Sequence, residues 1–301
     1  MITGTGRFMP VNIATILPIH NELESTKKFL VSYYDSIQQS SLKDHCSLII
    51  VDDGSTDGSR EWIAELYPDV RMLRGSGNLW WSGSINLALR HIENQSFTHF
   101  LLFNNDNIVQ LNFFDVLAKA INEIGNDRII SSKVINIYPR QYVIYGGITF
   151  DRGKSRYIVN KDVDKAAVVN TAGGMGVLVP LSVIHKVGLF DDINFPQKSG
   201  DTDFYLRAEK MGAHVHYYPA LIVYNDNSIS GYTGNTSIQA IRCAYSFPKG
   251  YMNLKVDITL FFRHGNYFWS IYRIIKNNII FLTIGIIRII KMHLDHTHLL
   301  P

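Results

Sequence analysis

Cysteine is almost missing from this chain: Cys46 and Cys243 are the only two in 301 residues. Two thiols cannot build a disulfide framework, so a reducing compartment is the expectation. An excess of either charge is lacking too. The formal net charge is +3 and the basic residues form no block in the first two thirds, so nothing calls for a nucleic-acid partner. No uninterrupted apolar run reaches the roughly 18 to 20 residues of a membrane span. Met1–Met9 lacks the basic-then-apolar pattern of a secretory signal. Internal repeats and low-complexity tracts are absent as well. What remains is 46% hydrophobic residues, enough to bury the core of one large domain, or of one domain with an appendage.

The apolar runs that are present are short and regularly interrupted. Ile13–Leu17, Ser47–Val51, Val70–Leu73 and His99–Phe103 read as strands. Glu22–Gln38, Asp57–Tyr67 and Ser82–Ile92 read as helices between them. This alternation predicts a parallel sheet covered on both faces. After about Arg128 the rhythm shortens. Ile129–Ile137, Tyr142–Phe150 and Arg156–Val159 are expected strands, Thr171–Gly176 is a glycine-rich lead into Val177–Val179, and Asp201–Met211 is an amphipathic helix.

Polar motifs stand where apolar runs stop, and in an open α/β sheet that edge binds ligands. They are Pro18–Glu22, Val51–Asp57 and Asn104–Asp106, and a fourth acidic motif, Gly200–Phe204, opens an expected helix. Asp52 and Asp53 cannot both enter the core unpaired. One of them facing a cleft could accept the imide N–H of uracil or thymine; a turn and helix cap built with Ser55, Thr56 and Asp57 is the other reading. Asn104, Asn105 and Asp106 offer oxygens to a hard cation such as Mg²⁺ or Mn²⁺, which could bridge them to a diphosphate. A polar strand end with an Asx turn would look the same. Asp201 and Asp203, two apart, cannot share a helix face, so one could take a hydroxyl proton while the other makes structural bonds. Helix capping is the simpler alternative. Trp80 and Trp81 put two indoles at a helix entry, suited to a sugar ring, a nucleoside or plain core packing.

The tail reads differently. Tyr267–Met292 has no proline and is expected to be one long helix. At about 100° per residue, Arg273, Lys276, Arg288 and Lys291 fall within one arc of about 120°, opposite Ile274, Ile275, Leu282, Ile286 and Ile289. A basic stripe against a wide isoleucine face suits an anionic membrane surface, or a helix packed on the main domain with its cations solvated. His293, His296 and His298 read as solvated tail.

In this order, the motifs resemble the inverting, family 2 nucleotide-sugar glycosyltransferases of the GT-A fold. Bacterial enzymes that build O-antigen or capsule chains, including rhamnosyltransferases, are the nearest in pattern. The resemblance spans Ile13–Asp226 and includes Ala172–Gly176, Val187–Asp192 and Gly200–Phe204 with Arg207. It implies a mostly parallel, Rossmann-like central sheet flanked by helices in residues 1–235, with a helical extension in 236–301. It further implies that Pro18, His20, Asn21, Glu22, Asp52, Asp53, Asn78, Asn104 and Asn105 line the donor site. Asp106 would bind a divalent cation, and Asp201 would act as catalytic base. Trp80, Trp81, Gly174 and Asp203 would contact substrate. The implied partners are a nucleotide-sugar donor (dTDP-rhamnose or a UDP-hexose), a lipid-linked or oligosaccharide acceptor, and the cytoplasmic face of the inner membrane. Asn104 stands in place of the first aspartate of a full DxD motif, and Asn225 where many relatives carry histidine. A sugar nucleotidyltransferase would show a glycine-rich basic loop after the first strand, and Pro18–Glu22 has none. A glycan-binding protein of the same fold without chemistry is the other alternative.

Overall fold

The computed structural model describes residues 11–138, 140–226, 238–246, 248, 250 and 252–297; the side chains of 238–241 and 288–297 lie outside the description. Arg288, Lys291 and the three tail histidines therefore fall outside it.

In chain order the first half runs β1 (Ile13–Ile19), α1 (Leu23–Ile37), β2 (Cys46–Asp52), α2 (Ser59–Leu66), β3 (Arg71–Arg74), α3 (Trp80–Ile92), β4 (His99–Leu102), β5 (Asn107–Val109) and α4 (Phe113–Ile124). The second half continues with β6 (Ile129–Tyr138), β7 (Tyr142–Tyr145), β8 (Ile148–Asp151), β9 (Arg156–Val159), β10 (Ala167–Val169), β11 (Val177–Pro180), α5 (Leu181–Val187), α6 (Gly200–Lys210) and β12 (Val215–Asp226). Helices α7 (Ile238–Tyr245), α8 (Leu254–His264) and α9 (Tyr267–Thr297) follow.

The main sheet is ordered β10-β12-β6-β11-β4-β1-β2-β3. Strands β4, β1, β2 and β3 are mutually parallel, as the apolar runs predict. Side chains of each buried strand alternate between two cores. Leu101 and Phe103 face Phe29, Tyr33 and Phe113 of α1 and α4. Phe100 and Leu102 face Ile85 and Leu89 of α3 and Phe204 of α6. Burial on both faces explains why these strands are continuously apolar.

Beyond β4 the sheet also takes in antiparallel pairs. Strand β11 enters antiparallel to both β4 and β6, while β6 and β12 pair in parallel. The stretch expected as one strand, Tyr142–Phe150, is two. It breaks at Gly146–Gly147, where Gly147 takes φ +79, a left-handed turn that a β-branched residue would resist. Strand β12 carries Pro219 in its interior, which hides it in the sequence. Its register against β6 slips between Tyr217 and Ile222, so the missing N–H falls in an irregularity.

The segment after residue 235 is fastened to the sheet domain. Val256 and Leu260 of α8 pack on Phe195, and Phe261 packs on Phe150 and Leu206. A buried carboxylate supplies the polar anchor. Asp203 of α6, with no exposed side-chain surface, receives Arg207 Nε at 2.8 Å, Arg263 Nη1 at 2.9 Å and His264 Nε2 at 2.8 Å. Burial alone would raise its pKa, but these hydrogen bonds and the two guanidinium charges outweigh it and hold the carboxyl at about 2. The folded value lies below the unfolded one, so this contribution, about 2 kcal/mol, is complete above pH 4 and fades as the pH falls towards 2.

Helix α9 extends five residues past its expected end at Met292. The span Tyr267–Ile287 is long and apolar enough, by length and composition, to cross a membrane, and 6% of its most apolar window is buried. The sequence shows no such run because Arg273 and Lys276 interrupt it.

Ending the chain before Leu254 removes two of the three donors to Asp203, and leaving a buried charge underpaired costs about 3–5 kcal/mol. We expect that truncation to abolish cooperative thermal unfolding, and a chain ending at Asn266 to keep it. Equal melting curves for the two would show that the anchor is dispensable.

Candidate active site

At the carboxyl edge of β1 and β4 lie two cavities with a common wall. The first, about 260 Å³, is lined by Pro18, His20, Glu22, Asp53, Trp80, Asn105 and Asp106 among others. The second, about 610 Å³, is lined by Tyr145, Tyr157, Gly174, Met175, Lys198, Asp201 and Thr202 among others. Trp81, Asn104 and Gln197 border both. Asp106 and Asp201 thus open into neighbouring halves of one trough.

Backbone strain shapes the first cavity. Asn21 (φ 59) and Glu22 (φ 63) are consecutive left-handed residues, and Trp80 (φ 59) is another. Each costs roughly 1–2 kcal/mol and needs outside support. Asn21 has it: its N–H donates to Ser55 Oγ at 2.8 Å, and its Oδ1 accepts the N–H of Thr56 at 2.8 Å. Asn21 thereby serves the turn that aims Glu22 and does not line the cavity. Trp80 is held by Asp53, whose carboxylate accepts the N–H groups of Gly77 (2.7 Å), Leu79 (2.7 Å) and Trp80 (3.0 Å). His20 Nδ1 lies 2.7 Å from the carbonyl of Asp53. A carbonyl only accepts, so Nδ1 carries a proton and donates it there.

Three further expected residues, besides Asn21, stand elsewhere. Asp52 is withdrawn from the cavity, accepting from Ser55 N at 2.8 Å and Arg60 Nη1 at 3.2 Å. Strand alternation sends adjacent carboxylates opposite ways, so only Asp53 reaches the cleft. Asn78 is exposed and holds the indole N–H of Trp80 at 2.9 Å. Asp203 is the buried anchor of α8 and touches neither cavity.

The Asn104–Asp106 turn is pinned by residues that sequence reasoning passed over. Asn107, fully buried, accepts the N–H of Asn104 at 2.9 Å and donates to Asp106 and to Asn225 Oδ1 at 2.9 Å. Asn225 lies where histidine was anticipated and bonds the same network. Burial, then the charges of Glu22 and Asp226, push the Asp106 carboxyl up to about 6. An oxygen-only, anion-crowded set of this kind fits a hard divalent cation. Among the described residues no three His, Cys, Asp or Glu side chains cluster closely enough to enclose a metal by themselves. Further ligands would have to come from a bound substrate.

The second cavity holds one carboxyl among aromatics. Asp201 Oδ1 accepts the N–H of Thr202 at 2.6 Å. Burial pushes this carboxyl up to about 6, and the Thr202 bonds offset only part of that. Such a group can take a proton near neutral pH. Trp81 forms the dividing wall, its Nε1 donating to Asn104 at 2.8 Å and its ring edge-on to Phe190 at 5.5 Å. Gly174 is there to seat it: a Cβ at that position would come within 2.3 Å of Trp81 Cζ2. We therefore expect Gly174→Ala to displace the indole. Tryptophan fluorescence should shift while the far-ultraviolet dichroism is kept; an unchanged emission spectrum would contradict this packing.

The sequence model described as glycosyl transferase family 2 matches residues 15–169, just over half of the chain. No individually curated protein matches it. Several solved structures are similar in fold. GalNAc-T7, crystallised with UDP, GalNAc and Mn2+, superposes with a TM-score of 0.58 at 12% identity, over 73% of this chain and 44% of that one. TarS of S. aureus gives 0.55 at 14%, over 72% and 37%. The mannosyltransferase PcManGT from Pyrobaculum calidifontis, in complex with GDP-Man and Mn2+, gives 0.55 at 16%, over 85% and 65%. The chain thus spans less than two thirds of each of these proteins, and the likeness is one of fold. With the family match covering both the β1–β4 edge and the Asn104–Asp106 turn, this chain belongs to glycosyl transferase family 2 and has the GT-A fold.

Proposed function

We propose that the protein is an inverting glycosyltransferase of surface-polysaccharide synthesis, of the O-antigen or capsule kind. It would move rhamnose from dTDP-rhamnose, or a hexose from a UDP-hexose, to a hydroxyl of a lipid-linked glycan. The observation that carries this reading is the common wall between the cavities of Asp106 and Asp201. A donor laid across that wall has its diphosphate on one side and its sugar at the other, facing a base. UDP and GDP-Man with Mn2+, bound by proteins of the same fold, are in keeping with it.

The nucleotide would occupy the first cavity beside His20 and Asp53. Asp106 and Glu22, together with the donor's phosphate oxygens, would hold the divalent cation. When bound, that cation supplies neutralisation of charge on the departing diphosphate. Asp201 would take the proton of the acceptor hydroxyl as its oxygen attacks the anomeric carbon from the face opposite the diphosphate. One displacement inverts the anomeric configuration. Tyr145, Tyr157 and Trp81 give the second cavity the aromatic faces that sugar rings stack on.

Residues 1–235 would form the catalytic domain, completed by α8, and α9 would rest on the cytoplasmic face of a membrane. Ser155, in the turn between β8 and β9, is hydrogen-bonded to Asn266 and Ser270 at the start of α9. Strand β9 also carries Tyr157 of the second cavity. A membrane under α9, whose Tyr267, Phe268, Ile275 and Ile279 are exposed, would bring a lipid-linked acceptor close to Asp201.

Asp201→Asn should lower kcat by about 10² to 10⁴ and leave nucleoside-diphosphate binding nearly intact. Because the base works ionised and burial pushes its carboxyl up to about 6, as it does that of Asp106, wild-type kcat/KM should fall about ten- to a hundredfold per pH unit below that value and level off above it. Release of free nucleoside diphosphate is the readout, and joint loss of binding and turnover in the variant would assign Asp201 a structural role instead. The chain ending at Asn266 should fail to float with anionic vesicles while still turning over a soluble acceptor. Continued flotation would remove α9 from the membrane reading.

A further inference from the structure

Asn104 stands at the junction of the two cavities, and its amide orientation follows from chemistry alone. An indole N–H can donate and cannot accept, so the atom facing Trp81 Nε1 at 2.8 Å must be the amide oxygen. The amide NH₂ is then turned away from the indole. Among the described residues it has no hydrogen-bond partner, although Asn104 borders both cavities. Gly174 on one side and Phe190 on the other hold the indole in place, and the Asn104 main chain is fixed by Asn107 at 2.9 Å. The amide cannot flip without stranding the indole N–H.

From this we infer that Asn104 is a hydrogen-bond donor to the diphosphate of the nucleotide sugar, with Trp81 as its positioning residue, and that Asn104 does not ligate the cation. The inference rests on the proposed glycosyl-transfer reading and deepens it. An aspartate at this position would accept the same indole bond, but it would set a second anion beside Asp106 and present only lone pairs to the phosphate oxygens. The amide does the reverse: it donates to the anion and adds no charge to a corner already crowded by Glu22 and Asp226. The departure from a full DxD motif thereby becomes a change of role. One residue gives up metal chemistry and takes on recognition of the leaving group.

The test is calorimetric titration of the full-length chain with UDP, dTDP and GDP in saturating Mn²⁺, and with Mn²⁺ alone. Wild type should bind at least one nucleotide. Asn104→Asp and Asn104→Ala should each bind it about ten- to a hundredfold more weakly, as loss of a hydrogen bond to a charged group requires. Affinity for Mn²⁺ alone should stay the same in Asn104→Ala, which removes the amide without adding charge. Trp81→Phe should weaken nucleotide binding in wild type and add almost nothing in the Asn104→Ala background, a coupling that general loss of folding would not produce. Weaker binding of Mn²⁺ alone by Asn104→Ala, or tighter nucleotide binding by Asn104→Asp, would overturn the inference and make Asn104 a metal ligand. Unchanged nucleotide binding by both Asn104 variants would overturn it as well. If wild type bound none of the three nucleotides, the glycosyl-transfer reading would fall, and this inference with it.

Discussion

The buried Asp203 carboxylate is the constraint around which the end of the molecule bearing the second cavity is arranged. An anion with no solvent contact is tolerable only when its lone pairs are filled by fixed donors. Those donors come from α6 itself, through Arg207, and from α8, through Arg263 and His264. Arg207 also reaches the carbonyls of Val187 and Leu189, which ties the end of α5 and the loop after it to the same point. Arg263 does the same for Asp191 at 2.8 Å. Three pieces of chain, the end of α5 with the loop after it, α6 and α8, are therefore organised by one charge. The second cavity is built on that frame.

Two residues before Asp203 on the same helix, Asp201 has the opposite character. One carboxyl is driven down to about 2 by cationic partners, the other up to about 6 by burial without them. Helix geometry produces the contrast, since residues two apart face different sides. The outward one is left with little besides Thr202 and the surrounding tyrosines. Rigidity on the inner side and a near-neutral titrating group on the outer side are two consequences of one short motif.

Much of this was legible in the sequence. The parallel half of the sheet could be read because β1, β2 and β4 are short apolar runs that end in polar motifs. The same pattern put Asp106 at a strand end, and the acidic start of α6 marked Asp201; both residues border the paired cavities. What could not be read was direction. Nothing in the order of residues says that Asp52 turns inward while Asp53 faces the cleft, or that Asp203 anchors a helix some sixty residues later. Asn107, Gln197, Arg263 and His264 went unseen because their importance comes from contacts between remote segments. Strand β12 was hidden by Pro219, whose missing N–H is harmless only where the register happens to slip.

The paired left-handed residues at the end of β1 have a wider consequence. Glycine at position 21 or 22 would adopt that backbone without steric cost, so folding by itself would favour the simpler residue. The chain carries asparagine and glutamate there, each with its side chain in use. The backbone at the mouth of the first cavity is consequently held in its left-handed turn by Ser55 and Thr56 from the neighbouring loop. Its shape belongs to both loops jointly, and slackening either one would let the other relax.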